Sequence, residues 1–394
     1  MVACLHDFSY LRPNHKASQE KTLEWIAKAH ARAEAKVAGW EIESEAYRQF
    51  HDEIKARLFN LGCGKNKIRR RGVQIKDLLL DDWEKMPIYP VDVHPEGCGF
   101  SARSSFFDEA TSHAFQHFYR KSKKGPAHLI HVTCTGYVAP SAAQKIVSQK
   151  NWGEQTIVTH AYHMGCYAAI PAIRIGVGFL HTPPSPIKKS SNEQSINIVH
   201  TELCSLHMNP LRHSTEQLVI QSLFADGFIK YSVVNEKCAK NSAFPYFKIL
   251  ALHEETVPNS LKSMTWRCED WGLGMSIAKE VPVLIARSLP GFIERLFLKA
   301  KVSMQNNLNK CLFAVHPGGP KILHQVQELL QLPQVRLSHS HKVLRNFGNM
   351  SSATLPHIWE IILKNAKVKD KTWVVSLAFG PGLSISGTLF EKRG

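Results

Sequence analysis

The chain is short of acid. Its 394 residues hold 33 Asp and Glu against 49 Lys and Arg, a formal net charge of +16 with the 21 histidines neutral. An imbalance of that size points to anionic partners. Long apolar runs are also missing: no stretch approaches the ~18 residues that a membrane helix requires, so no membrane span is expected. Met1-Val-Ala-Cys-Leu-His-Asp7 lacks a basic region leading into an apolar core. It therefore carries no evident secretory signal, and a soluble, cytoplasmic protein is expected. The nine cysteines include no CxxC pair, which favours reduced thiols over a disulfide framework. Cys63 and Cys98 sit in Gly-Cys-Gly settings, which is not zinc-ligand spacing, so no metal and no bound cofactor are expected.

With 44% hydrophobic residues, the chain is long enough to bury one large core or two fused ones. Ser18 to about Phe59 reads as two helices. Leu23, Ile26, Ala27 and His30 share a face of the first, and Ala46, Phe50, Ile54 and Leu58 recur at helical spacing in the second. Strand-like runs then alternate with helical ones: 128–133 before 141–149, 156–159 before the Ala-rich stretch after Cys166, and 196–200 beyond. The second half repeats this logic, with strands at 247–252, 312–315 and 372–377 and helices at 281–299, after Pro320 and at 352–365. Such alternation predicts an α/β fold with sheets covered by helices. The two halves, 1–240 and 241–394, look alike, and no shorter repeat appears.

Three short segments carry the chemistry. In His160-Ala-Tyr-His-Met-Gly-Cys166-Tyr-Ala-Ala the cysteine falls at a strand-to-helix turn, where helix-terminal N–H groups favour a thiolate. Taken alone, such a cysteine is more often a small buried hydrophobe. Val315-His316-Pro-Gly-Gly-Pro320 and Phe347-Gly-Asn349-Met-Ser-Ser-Ala353 place an imidazole and an amide beside glycines that permit close approach. A thiol, an imidazole and a carboxamide together suit thioester chemistry.

In this order, the three segments resemble the type III polyketide synthases, the chalcone and stilbene synthase superfamily. Further matches lie at Cys134-Thr-Gly-Tyr-Val-Ala-Pro140, Ser222-Leu-Phe224-Ala-Asp-Gly227, Lys279-Glu-Val-Pro282 and Phe379-Gly-Pro-Gly-Leu383. The resemblance runs from about Ser18 to about Phe390 and implies a duplicated, thiolase-like αβαβα layered fold, acting as a homodimer. It makes Cys166 the nucleophile and His316 and Asn349 the donors to a thioester oxygen. Acyl-CoA and malonyl-CoA are the implied substrates. Phe224 matches a gatekeeper between CoA tunnel and cavity, and Met275 takes the second gate position, usually aromatic. The implied cavity is lined by Cys134, Thr135, Cys204, His207 and the retained Ser351. Ala139, often methionine in the family, is implied to reach across the dimer. Basic residues of the segment before Arg71 are implied to guard the CoA mouth. Lys65 aligns without a gap, Lys55 and Arg57 only after a register shift, and Lys321 adds a charge nearby.

Cys134, Cys204 and His207 stand at threonine positions of chalcone synthases, and His181–Ser195 reads as a polar, proline-rich insertion forming a surface loop. These departures argue against a coumaroyl starter. Small Ala139 and flexible Met275 favour an aliphatic, long-chain one, closing to a pyrone or a resorcinol or phloroglucinol ring. Three other readings compete. A ketoacyl-ACP synthase III relative shares the Cys, His and Asn logic. A papain-type hydrolase is disfavoured, because Cys166 lies far inside the chain without a Cys-Gly-Ser-Cys-Trp setting. A nucleic-acid binder is suggested only by charge: Lys65-Asn-Lys-Ile-Arg-Arg-Arg71 has no interleaved aromatics, so no nucleic-acid partner is expected.

Overall fold

The computed structural model describes residues 2–182 and 195–394. Most of the expected His181–Ser195 insertion, residues 183–194, lies outside them. The first half runs β1 (Ala3–Leu11), β2 (His15–Ser18), α1 (Gln19–Ala38), α2 (Glu45–Leu61), β3 (Arg70–Val73), α3 (Phe100–Tyr119), β4 (His128–Thr133), α4 (Ala142–Gln149), β5 (Ile157–Tyr162), α5 (Ala169–His181), β6 (Ile196–Leu203), α6 (Thr215–Leu223) and β7 (Asp226–Asn235). The second continues with α7 (Glu236–Lys240), β8 (Tyr246–Thr256), β9 (Met264–Glu269), β10 (Gly272–Ile277), α8 (Val281–Lys299), α9 (Met304–Asn307), β11 (Leu312–Val315), α10 (Pro320–Leu329), α11 (Ser338–Phe347), α12 (Thr354–Lys364), β12 (Trp373–Gly380) and β13 (Ser384–Arg393).

Local chemistry explains the helix ends. Ser18 caps α1 by accepting from the Lys21 amide, and Gly39 closes it in the left-handed region at φ 70°. Ser44 caps α2 through the Tyr47 amide. The buried stripe of α2 is Tyr47, Ile54 and Leu58, with Phe50 half-buried, whereas Ala46 is exposed. The stripe expected from Ala46 is thus one residue out. Eleven residues make almost three whole turns, so Tyr47 lies only about 20° from Leu58, while strict steps of four drift round the helix.

Nine strands form one mixed sheet in the order β11-β12-β13-β8-β1-β7-β6-β4-β5. Pairs β4–β5, β4–β6 and β11–β12 are parallel, and the others antiparallel. The expected division near residue 240 falls at α7, yet the sheet crosses it unbroken: β1 pairs with β7 on one side and with β8 on the other.

Strand residues alternate between helical layers, as a period of two requires. In β4, Leu129 joins the core with α3 and α4, whereas Ile130 and Val132 join a central core with α5 and α12. In β12, Val374 and Ala378 face that same central core, and Val375, Leu377 and Phe379 join a third with α8 and α10. Three helical layers therefore sandwich the two halves of the sheet, the αβαβα arrangement. One element had no expectation. The β9–β10 ribbon, paired from Met264↔Ile277 to Glu269↔Gly272, folds over the end of the sheet and brings Trp266 and Met275 to a cavity.

Candidate active site

Cys166 stands in a single 3-10 turn, Gly165–Tyr167, between β5 and α5. The turn is tight against the end of β12. A Cβ on Gly165 would come within 2.6 Å of Pro381, and one on Gly380 would collide with the Tyr167 ring. Gly165 takes φ 76°, where glycine fits without cost. The cysteine is buried and forms part of the wall of a cavity that also includes Cys134, Thr135, Cys204, His207 and Ser351. Phe224 and Met275 face it as well, together with Trp25, Ile26, Leu78 and Met208, so the wall is largely apolar.

Ser351 is the hub. Its Oγ lies 2.9 Å from Cys134 Sγ and 3.7 Å from Cys166 Sγ, and its backbone holds φ 47°, a strained conformation for serine. Its amide donates to Asn349 Oδ1 at 2.9 Å. Asn349 itself is stitched to the gate. Its amide donates to the Leu223 carbonyl at 3.0 Å, and its carbonyl accepts from the Ala225 amide at 2.8 Å. Cys166, Ser351, Asn349 and Phe224 are thereby linked in one chain of contacts.

His316 arrives from the neighbouring strand. It follows β11, and its amide donates to the Leu377 carbonyl of β12 at 2.8 Å. The next loop brings Gly319 against Leu223. His316 and Asn349 are each 1% exposed and are not among the residues that line the cavity. Both His316 ring nitrogens and Asn349 Nδ2 are buried without a partner. Histidines such as His339 and His357 have one ring nitrogen in that state, whereas His316 has both, and such atoms call for a reason. Three in the two residues expected to serve an incoming oxygen supply one.

The charge state differs from the thiolate expected at a strand-to-helix turn. Burial pushes the Cys166 thiol up to about 12, only partly countered by the Ser351 hydroxyl and raised further by Glu202. Burial pulls His316 down to about 3. The free site therefore holds a neutral thiol and a neutral imidazole, because a dry pocket disfavours both ions.

Glu202, which sequence reasoning missed, organises one wall. Fully buried at the end of β6, its carboxylate accepts from the Cys134 amide at 3.1 Å and Thr135 Oγ1 at 3.0 Å, and also from Ser352 Oγ. Its one sequence signal is an acid inside the apolar run Ile196–Leu203. His207 is a brace rather than an acid or base. Nε2 donates to the Thr135 carbonyl at 2.9 Å, Nδ1 accepts from the Leu273 amide at 3.2 Å, and burial lowers its pKa to about 3. Trp266 Nε1 donates to the Cys134 carbonyl at 2.5 Å, tying the β9–β10 ribbon to the same wall.

The remaining expected residues are scattered. Ala139 is exposed, at a cis bond to Pro140, and is not on its own chain's cavity wall. Lys55 pairs with Glu24 at 3.0 Å, and Arg57 with Glu53 at 3.5 Å and the His213 carbonyl at 2.6 Å. Lys65 is 70% exposed, with Glu20 at 3.7 Å, and Lys321 is exposed on the first turn of α10. Lys65 and Lys321 are thus the freer cations. The run 65–71 is no uniform solvated face, since Arg71 is 3% exposed. Among the described residues, no group of His, Cys, Asp or Glu is arranged to hold a metal ion, and no helix is long and apolar enough to cross a membrane.

Residues 248–392, which include His316 and Asn349, match the C-terminal domain of chalcone and stilbene synthases. The C-terminal part of the chain is thus similar to that domain. A curated relative from Dictyostelium discoideum, probable polyketide synthase 1, is 27% identical over 268 residues, 67% of this chain. The chain spans only 8% of that relative's length. Among solved structures, PKS-I from the brown alga Ectocarpus siliculosus superposes with a TM-score of 0.81 at 19% identity, covering 99% of this chain and 98% of that one. The C-terminal type III polyketide synthase domain of Steely1, a type I/III hybrid from Dictyostelium, gives 0.78 at 19%, with both chains covered fully. At that identity the likeness shows the fold alone, a thiolase-like one.

Proposed function

We propose that the chain is a type III polyketide synthase, a decarboxylating acyltransferase that needs no bound cofactor. Cys166 attacks the carbonyl of an acyl-CoA starter, and coenzyme A leaves as the thiol. Malonyl-CoA then loses CO2, and the resulting carbanion attacks the acyl-cysteine carbonyl, breaking its C–S bond, freeing Cys166 and leaving a chain two carbons longer on that coenzyme A. His316 Nε2 takes up the thiol proton as the starter enters and, with Asn349 Nδ2, donates to the thioester oxygen during decarboxylation. Each such donor is worth ~3 kcal/mol in the transition state. The observation that carries this reading is the buried, unpartnered state of those polar atoms, with Asn349 joined through Ser351 to the wall that holds Cys166.

The apolar wall, with Met275 at the gate, supports an aliphatic, long-chain starter and closure to a pyrone or a resorcinol or phloroglucinol ring. Exposed Ala139 suits a place in a homodimer, where it borders the partner's cavity. Lys65 and Lys321, the freer cations, would meet the phosphates of CoA, with Lys55 and Arg57 secondary, and the cytoplasm is the fitting compartment for these substrates. Mass spectrometry of products from malonyl-CoA and a panel of acyl-CoAs tests the proposal. Cys166→Ala should abolish condensation, and native-rate product formation by that variant overturns the assignment. Ala139→Trp should shorten the accepted chain. A ketoacyl-ACP synthase III-like activity is the second reading, favoured if turnover proceeds on malonyl-ACP and not on malonyl-CoA.

A further inference from the structure

A second cavity, of about 240 Å3, shares Arg71 with the reaction chamber. The two linings differ in kind. The chamber is apolar and thiol-rich, whereas the second cavity collects Arg12, Lys16, Arg70 and Arg71 with Asn346. None of these four cations forms an ion pair among the described residues. The acid on the wall, Asp226, is already engaged by the Ser205 amide at 2.8 Å, the Ser205 hydroxyl at 2.6 Å and the Gln74 amide at 2.6 Å.

Arg71 is the decisive group. Nη1 donates to the Gln221 and Phe224 carbonyls at 2.7 and 2.8 Å. Nε and Nη2, buried with the rest of a side chain only 3% exposed, have no partner. These two atoms form the parallel N–H fork with which arginine grips an oxyanion in two hydrogen bonds. Arg12 is held ready nearby, its guanidinium 4.1 Å from the Tyr10 ring centre and 3.8 Å from that of Phe347.

We propose that this cavity binds a phosphate group, free or as a small monoester, on the Arg71 fork with Arg12, Arg70 and Lys16 around it. Four cations against one engaged carboxylate favour a dianion over a single carboxylate. Lys55, Arg57, Lys65 and Lys321 are not on the wall, so the site is separate from the proposed CoA mouth. Its occupant would brace the active centre. Arg71 clamps the Phe224 carbonyl, and its stem packs against Gly348, the neighbour of Asn349.

The test uses the intact chain and no acyl substrate, so it stands apart from the polyketide reading. Inorganic phosphate is titrated at constant ionic strength, with melting temperature and 31P NMR linewidth as readouts. A saturable rise in melting temperature is expected, with affinity weakened about tenfold or more in Arg12→Gln and in Arg70→Gln. Both variants keep the carbonyl contacts of Arg71, and circular dichroism verifies their fold. Lys67→Gln, an exposed control, should bind as the wild type does. A response no larger than that to chloride, or one preserved in the Arg12→Gln/Arg70→Gln double variant, overturns the proposal. Adenosine 3′,5′-bisphosphate separates the two sources of phosphate. If it alone binds, and Lys65→Gln rather than Arg12→Gln removes it, the anion belongs to the CoA mouth and the proposal fails.

Discussion

Resting neutrality at Cys166 and His316 makes a measurable difference. With the thiol moved from 9.0 to about 12, the thiolate fraction at pH 8 falls from about one in ten to about one in ten thousand. Alkylation by iodoacetamide proceeds through the thiolate, so it should slow by about a thousandfold at that pH relative to an ordinary thiol. Its rate should also climb about tenfold per pH unit through pH 10 without levelling. Burial slows the reagent too, but access does not set the slope, and the slope is therefore the criterion. Timed alkylation of the whole protein, followed by peptide mass spectrometry, reads Cys166 against exposed Cys268 in the same sample. His316, held to about 3, supplies no imidazolium at neutral pH, so His316→Ala should leave the slope unchanged. A flat profile between pH 6 and 9 that becomes steep in His316→Ala would refute the neutral pair in favour of a thiolate–imidazolium one. Activation would then precede substrate binding instead of accompanying it.

Three further outcomes follow from the geometry. Glu202→Gln keeps the shape but turns one acceptor into a donor facing the Cys134 amide and the Thr135 and Ser352 hydroxyls. A loss of about 1.5–3 kcal/mol in urea unfolding is expected, and a variant as stable as the parent removes Glu202 as organiser of the wall. Gly380→Ala places a methyl against the Tyr167 ring and should cost about 1–3 kcal/mol while displacing the turn that holds Cys166; normal melting and normal product yield together contradict this. Burial holds His30, His131, His200, His207, His316 and His357 near 3 in the folded chain. The unfolded chain protonates them at about 6.5, so their contribution is complete above that pH and is lost as pH falls toward 3, by at most about 1.4 kcal/mol per pH unit for each. The denaturant midpoint should therefore be lower at pH 5 than at pH 7.5, and equal midpoints would contradict the neutral-histidine core.

Much of the sheet could be read in advance because β4, β6, β11 and β12 are buried on both faces, and such strands appear as mainly apolar, β-branched runs. The turn at Cys166 and the loops after His316 and before Asn349 were legible through their glycines. The β9–β10 ribbon was not. Its residues Met264–Glu269 and Gly272–Ile277 mix half-buried and exposed positions, so no apolar periodicity marks them. Arg71 and Glu202 escaped for a related reason: a charge in the primary structure looks solvated until tertiary packing surrounds it. The one-residue shift on α2 arose because spacing by fours follows a helix for only two or three turns before it wanders off the buried face.

The place of β1 in the sheet sets an order of assembly. Cys4 lies opposite Val234 of β7 and Lys248 of β8, so both neighbours of this early strand come more than two hundred residues later. On a ribosome, a nascent chain halted before β7 holds the middle plank of its own sheet with nothing on either side to nail it to. β7, the last strand of the first half, supplies one side and β8, the first strand of the second, the other, so the join between the halves runs along β1 itself. Long-range pairing of this kind makes for slow folding.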